Sequence, residues 1–238
     1  TLVMGIVNVT PDSFSDGGLF LNPNKAVDHA LKLVEEGADI LDIGGESTRP
    51  GAASISVKEE LNRVIPVINQ LAKKTELIIS IDTHKPIVAE EAIGAGASII
   101  NDIGANNNHA EMWKVISNTK AGYICMHMKG APQTMQKNPF YKDVCKDVCN
   151  FFKERLNSLL DYGISIDHIA IDPGIGFGKS LDHNIELMSH LNKFKIFQRP
   201  VLVGASRKSF IDKLLGVPLE KRLPASLTCA AWATIQGS

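Results

Sequence analysis

Three polar residues in this chain stand where apolar runs stop: Asp82 closes Leu-Ile-Ile-Ser-Ile, Asn101 follows Ser-Ile-Ile, and Asp172 follows Ile-Ala-Ile. Two carboxylates and an amide brought to one rim would suit a ligand with several adjacent N–H donors and one acceptor, such as a flat amino-heterocycle. The alternative is that Asp82 and Asp172 cap the helices behind them, since Asp before a helix start accepts backbone N–H bonds. Asp172 leads into Pro-Gly-Ile-Gly-Phe-Gly-Lys-Ser, where alternating glycines permit φ > 0 and Lys179 and Ser180 add a cation and a hydroxyl. That layout suggests a phosphate loop. However, Gly174 and Gly178 enclose too few residues for G-x-x-x-x-G-K-[ST], and Gly-x-Gly-x-Gly does not fit the dinucleotide fingerprint. What survives is a strand-end acid followed by a ligand-sized turn. Arg207 and Lys208 follow another apolar run at a helix start, where a lysine is opposed by the helix dipole unless an anion is present. A solvated surface pair is the bland alternative. His84 and His127 have no partner at metal or triad spacing and read as packing or surface residues.

The elements that must position these groups alternate. Residues 2 to 9, Leu-Val-Met-Gly-Ile-Val-Asn-Val, form a near-continuous apolar run that fits a parallel strand buried on both faces, interrupted by Asn8. Further runs at 39–43, 77–83, 98–104, 122–128, 169–172 and 201–206 are separated by segments with helical spacing, notably 24–36, a stripe from Leu61 to Leu71, and one from Val144 to Leu160. Strand and helix in strict alternation imply a parallel α/β sheet. A closed (β/α)8 barrel explains why polar residues gather at the strand ends; a doubly wound sheet would gather them at one switch point. Two long polar, glycine-bounded loops, Thr10 to Gly18 and Gly44 to Ala52, exceed what a βα connection needs.

Composition excludes several classes. The chain has 238 residues with 25 basic against 26 acidic side chains, which gives no general case for a nucleic-acid partner. No apolar run approaches the roughly 20 residues needed to span a bilayer, and Thr1 to Gly5 reads as a strand start, so the expectation is a cytoplasmic protein with no membrane partner. Cys145 and Cys149 form an i, i+4 pair that no histidine or further cysteine joins at ligand spacing, so reduced packing thiols are expected. With no composition break, one domain over 1–238 is expected.

Several motifs in order carry a resemblance: Met4-Gly-Ile-Val-Asn-Val-Thr-Pro-Asp-Ser-Phe-Ser-Asp-Gly-Gly18, Gly44-Gly-Glu-Ser-Thr-Arg-Pro-Gly51, Ser80-Ile-Asp-Thr83, Ile100-Asn-Asp102, Asp172-Pro-Gly-Ile-Gly-Phe-Gly-Lys179 and Ser206-Arg-Lys208. Over essentially its whole length the chain resembles the dihydropteroate synthases, pterin-binding transferases of folate biosynthesis and sulfonamide targets. The resemblance implies a TIM barrel that joins 4-aminobenzoate to 7,8-dihydropterin-6-ylmethyl diphosphate, releasing diphosphate and giving 7,8-dihydropteroate. It also implies Mg²⁺ and a homodimer. Carried over by residue, it places Asp82, Asn101 and Asp172 on the pterin's amino-pyrimidine edge and Lys208 on its carbonyl, with Asp82, Asp172 and Lys208 catalytic. Phe177 belongs to the same substrate site, Asn8 is the Mg²⁺ ligand, Thr48, Arg49, Phe14 and Pro50 close the site, and Ser209 receives the aminobenzoate carboxylate. No activated Ser, Cys or His is required. The family's final strand carries an Arg-x-His motif, and Ser238 lies just before that strand would begin, so a barrel with its final strand and helix beyond Ser238 is expected.

A pterin-binding methyltransferase domain is a second reading, which Ser206-Arg-Lys208 and the Thr-Pro-Asp-Ser-Phe loop oppose. Sequestration of a pterin without turnover is a third. A Schiff-base aldolase using Lys208 is a fourth, with no other signal for a carbonyl substrate.

Overall fold

The computed structural model describes residues 1–10, 23–48, 52–105 and 110–238. Its strands are β1 (Met4–Asn8), β2 (Ile40–Gly44), β3 (Ile78–Asp82), β4 (Ile99–Asp102), β5 (Gly122–Met126) and β6 (Ile169–Asp172). They lie in the sheet in chain order, β1 to β6, and no strand is skipped. A doubly wound sheet reverses its order at a switch point, so this singly wound sequence of strands excludes that alternative. The helices are α1 (Pro23–Glu35), α2 (Val57–Leu71), α3 (Pro86–Gly94), α4 (Ala110–Thr119), α5 (Val144–Asp161), α6 (Leu181–Ser189), α7 (Ser209–Leu215) and α8 (Leu223–Gln236). By contacts the chain divides into two compact units, Leu2–Ile124 and Cys125–Ser238, the second joined by Thr1.

In the first unit, β1 to β4 pair in parallel with a register that puts Asn8 beside Gly44, Gly44 beside Asp82 and Asp82 beside Asn101. One row of residues thus runs across four strand ends. β2 is buried at every position, as its apolar sequence requires. β1 departs from expectation: it alternates, with Val7 buried and Ile6 49% exposed. Among the described residues its one neighbour in the sheet is β2. Gly5 lets α1 approach β1, since a Cβ there would stand 3.1 Å from Cδ1 of Leu33. Helix α2 begins at Ser56, whose hydroxyl accepts from the N–H of Glu59 (3.2 Å), and buries Val64, Val67, Ile68 and Leu71 at helical spacing.

In the second unit, Asp143 caps α5 through the N–H of Lys146 (2.9 Å), and Val144, Val148, Phe152, Leu156 and Leu159 form its buried stripe. Phe152 meets Phe194 and Phe197 edge-on, with ring centroids 5.9 and 5.8 Å away. The run at 201–206 contributes one parallel bridge, Ile171 to Val201, instead of a full strand. Beyond it the backbone leaves extended geometry, reaching φ +54° at Arg207 before α7.

Candidate active site

In the first unit the row Asn8, Gly44, Asp82, Asn101 is the candidate site. Side chains alternate along a strand, so Asp42, Ser80, Asp82 and Asn101 share one face. Gly44 contributes no side chain, and a Cβ there would stand 3.5 Å from Oδ2 of Asp82 and 3.7 Å from Oδ1 of Asn8. With no side chain at 44, the Asp82 and Asn8 oxygens flank this point of the row. Asp82 does not cap the helix behind it, because α3 takes Lys85 as its N-cap residue and makes no side-chain cap bond. Instead, Oδ1 of Asp82 and Oδ1 of Asn101 are buried with no hydrogen-bond partner among the described residues. Buried polar atoms are normally satisfied, so two orphaned acceptors side by side point to a ligand that donates. Burial holds the Asp82 carboxyl well above its ordinary value, and Asp42, Glu60, Asp102 and Glu46 push the same way.

Behind this row lie groups that the sequence reading did not single out. Asn101 donates from Nδ2 to Oδ2 of Asp42 at 2.9 Å, with Asp42 2% exposed in the middle of β2. An acid inside the apolar run Ile-Leu-Asp-Ile was the available signal. Asp102 accepts from the Tyr123 hydroxyl (2.8 Å) and from the N–H of Gly104 (2.7 Å). The base of the loop after β2 is pinned to α2: Arg63 donates to the Gly45 carbonyl (2.8 Å), and Lys85 pairs with both Glu46 and Glu60. A Cβ on Gly45 would lie 2.8 Å from Cγ1 of Val64, so glycine permits this close contact. Thr48 is half-buried at the end of the described part of that loop. Phe14, Arg49 and Pro50 lie outside the described residues.

In the second unit Asp172 ends β6, 7% exposed, and its Oδ1 accepts from the N–H of Gly174 at 2.7 Å. Its helix-capping reading also fails, since α6 is capped by Ser180 in a reciprocal box with His183. Burial raises the Asp172 carboxyl, opposed by Lys208, the Gly174 N–H and Lys179. The glycine turn takes φ of +69°, +87° and +62° at 174, 176 and 178. It is no phosphate loop: the N–H of Gly174 serves Asp172, that of Gly176 serves Oδ1 of Asn184 (2.6 Å), and that of Phe177 serves the Gly174 carbonyl (3.1 Å). Lys179 offers no exposed cation either. It is 1% exposed and donates to Nδ1 of His127 (3.0 Å), the His127 carbonyl (3.3 Å) and the Phe177 carbonyl (3.0 Å). Burial lowers it to about 7, against the pull of Asp172. A Cβ on Gly174 would stand 1.9 Å from the His127 carbonyl oxygen, so the turn lies directly on that backbone.

Lys208 lies across the turn, donating to the Ile175 carbonyl, with its ammonium 4.6 Å from the Phe177 ring centroid. Gly176, at φ +87°, leaves room for it: a Cβ would stand 3.1 Å from Cδ of Lys208, and the lysine would have to give by a few tenths of an ångström. Lys208 is thus brought to Phe177, and its charge acts on Asp172. Ser209 is the exposed first residue of α7. His127 is a packing residue, 5.0 Å edge-on from Phe151, and burial lowers it well below the usual histidine value. The cysteines are free thiols. Asp143 and Glu186 bring carboxylate oxygens within 4.8 Å of the Cys145 sulfur, but burial pushes that thiol up to about 11 and Asp143 is engaged as a helix cap.

The profile of the pterin binding enzyme family matches residues 4–238. Dihydropteroate synthase of Escherichia coli strain K12 is 48% identical over 236 residues, covering 99% of this chain and 83% of that protein. Among solved structures, Yersinia pestis dihydropteroate synthase with a sulfonamide drug superposes with a TM-score of 0.93 at 44% identity, over 99% of this chain and 86% of the other. Xanthomonas albilineans dihydropteroate synthase with 4-aminobenzoic acid also gives 0.93, at 45% identity, over 100% and 85%. With the strand-end acids, the glycine turn and Lys208 in place and these likenesses over nearly its whole length, the chain belongs to the pterin-binding enzyme family.

Proposed function

We propose that this chain is a dihydropteroate synthase: it condenses 7,8-dihydropterin-6-ylmethyl diphosphate with 4-aminobenzoate to give 7,8-dihydropteroate and diphosphate. The observation that carries this reading is the pair of strand-end acids, Asp82 with its Oδ1 buried and Asp172 buried, neither of which caps a helix. A buried carboxylate oxygen left without a donor, as Oδ1 of Asp82 is among the described residues, is costly and is kept where a ligand supplies the donor. Asp82, Asn101 and Asp172 receive the N–H groups of the amino-pyrimidine edge, and Lys208 donates to the pterin carbonyl. Phe177 is held beside Lys208 as part of the same recognition. Thr48, Arg49, Phe14 and Pro50 enclose the substrate, and Ser209 meets the aminobenzoate carboxylate.

As diphosphate departs, positive charge develops on the exocyclic methylene and spreads into the pterin. Asp82 and Asp172 stabilise it electrostatically before the aminobenzoate amine attacks. No protein nucleophile is needed. Mg²⁺ fits the donor set: the Asn8 amide oxygen and an Asp82 oxygen both stand within 4 Å of where a Gly44 Cβ would lie, and hard oxygen ligands suit that ion. Asn8 would hold it, and the ion would neutralise charge on the leaving diphosphate.

We also propose a cytoplasmic homodimer. Free thiols support the compartment, and no helix among the described residues is long and apolar enough to cross a membrane. Exposed Leu214, Leu215, Leu219, Leu227 and Ile235 on and between α7 and α8 support a self-association face. Purified protein mixed with both substrates is the test of activity. Diphosphate release that depends on 4-aminobenzoate is expected, and pterin binding without release would sink the reading.

A further inference from the structure

We infer that Asp42 is a positioning residue that fixes which way the Asn101 carboxamide faces, so that its oxygen, and not its nitrogen, is presented to the ligand as an acceptor. This rests on the pterin-site reading above. A carboxylate only accepts hydrogen bonds, whereas a carboxamide can turn either its oxygen or its nitrogen toward a neighbour. With Oδ2 of Asp42 at 2.9 Å, the Asn101 atom facing it must be Nδ2. The opposite orientation would set two acceptor oxygens against each other inside the protein, with Asp42 2% and Asn101 8% exposed. The oxygen is therefore turned outward, and it is buried without a partner among the described residues.

Strand register makes this possible. Asp42 lies two residues before Gly44, on the same face, and Gly44 pairs with Asp82, which pairs with Asn101. Asp42 thus underlies the row that ends in Asn101, reaching across β3 to β4. Ser80, its register partner on β3, has a hydroxyl that carries no side-chain rival bond to Asn101. The consequence is a specificity rule: at this point the site selects an N–H donor and rejects an analogue that offers a ring acceptor there.

The test is a double-mutant cycle on the intact protein, using Asp42→Asn, Asn101→Ala and the pair together. It reads the affinity for 7,8-dihydropterin-6-ylmethyl diphosphate by titration calorimetry, and the KM for each substrate. Asp42→Asn lets both amides flip and is expected to weaken pterin affinity about tenfold, the worth of one buried hydrogen bond, with the 4-aminobenzoate KM unchanged. In the Asn101→Ala background the same substitution is expected to add nothing. Additive losses, or equal losses for both substrates, would overturn the inference. If Asp42→Asn does not fold, the exchanged pair Asp42→Asn with Asn101→Asp is measured instead. It keeps the bond with donor and acceptor reversed and still turns an acceptor to the ligand, so it is expected to bind pterin better than Asn101→Ala; binding no better overturns the inference. Should Asn101→Ala itself leave pterin affinity unchanged, the pterin-site reading fails as well, a result distinct from additivity.

Discussion

The Lys179 ammonium lies 3.0 Å from Nδ1 of His127, and both side chains are buried. While Lys179 is charged it can only donate, so Nδ1 then accepts and the neutral imidazole carries its proton on Nε2. Lys179 falls from its ordinary 10.5 to about 7 in the folded protein, chiefly by burial. The unfolded chain therefore binds more protons between those values, and this group's contribution to stability rises with pH across that window and is lost as pH falls toward 7. Lys179→Met removes the titration. The stability advantage of the native protein over this variant should grow from pH 7 toward 10.5 in urea unfolding; a constant difference would show that Lys179 does not titrate there.

Asp82→Asn should separate activity from stability. Replacing the carboxylate removes a stabilising charge from the transition state, a loss of about 10²- to 10³-fold in rate. The folded-state carboxyl is raised by burial and by Asp42, Glu60, Asp102 and Glu46, so its ionised form destabilises the fold at neutral pH. The amide relieves that cost. Diphosphate release should collapse while the thermal midpoint holds or rises, and a lower midpoint would contradict the electrostatic account.

Asn8→Ala should raise the Mg²⁺ concentration needed for half-maximal turnover. Its oxygen and an Asp82 oxygen both flank Gly44, and its loss leaves that place with one fewer hard donor. Activity titrated against Mg²⁺ for both proteins is the measurement. Superimposable curves would remove Asn8 from the metal site.

Gly174→Ala should be among the most damaging single methyl additions. The added Cβ would meet the His127 carbonyl oxygen at 1.9 Å, and the backbone holds φ at +69°. Neither neighbour can move without disturbing the Lys179 and Asp172 bonds. Destabilisation of at least about 3 kcal/mol is expected by urea unfolding, well above an ordinary surface change. Gly37→Ala is the control: it has a comparable φ of +98° and open space around it, so its cost should be limited to backbone strain.

The order of elements and the strand-end acids were legible in the sequence because both follow from local rules. Apolar periodicity marks strands and helices, and an acid closing a run such as Ser80-Ile-Asp82 marks where a strand meets solvent or ligand. Tertiary structure decided what those local signals left open. Only the register shows that Asn8, Gly44, Asp82 and Asn101 form a single row, because pairing joins residues far apart in the chain. Only packing separates Lys208, which lies across the turn beside Phe177, from Lys179, which the sequence offers equally as a ligand cation but which is buried under the same turn. The role of Asp42 was hidden for the same reason: an acid inside an apolar run stands out in the sequence, but its bond to a strand two places away is encoded by no spacing along the chain.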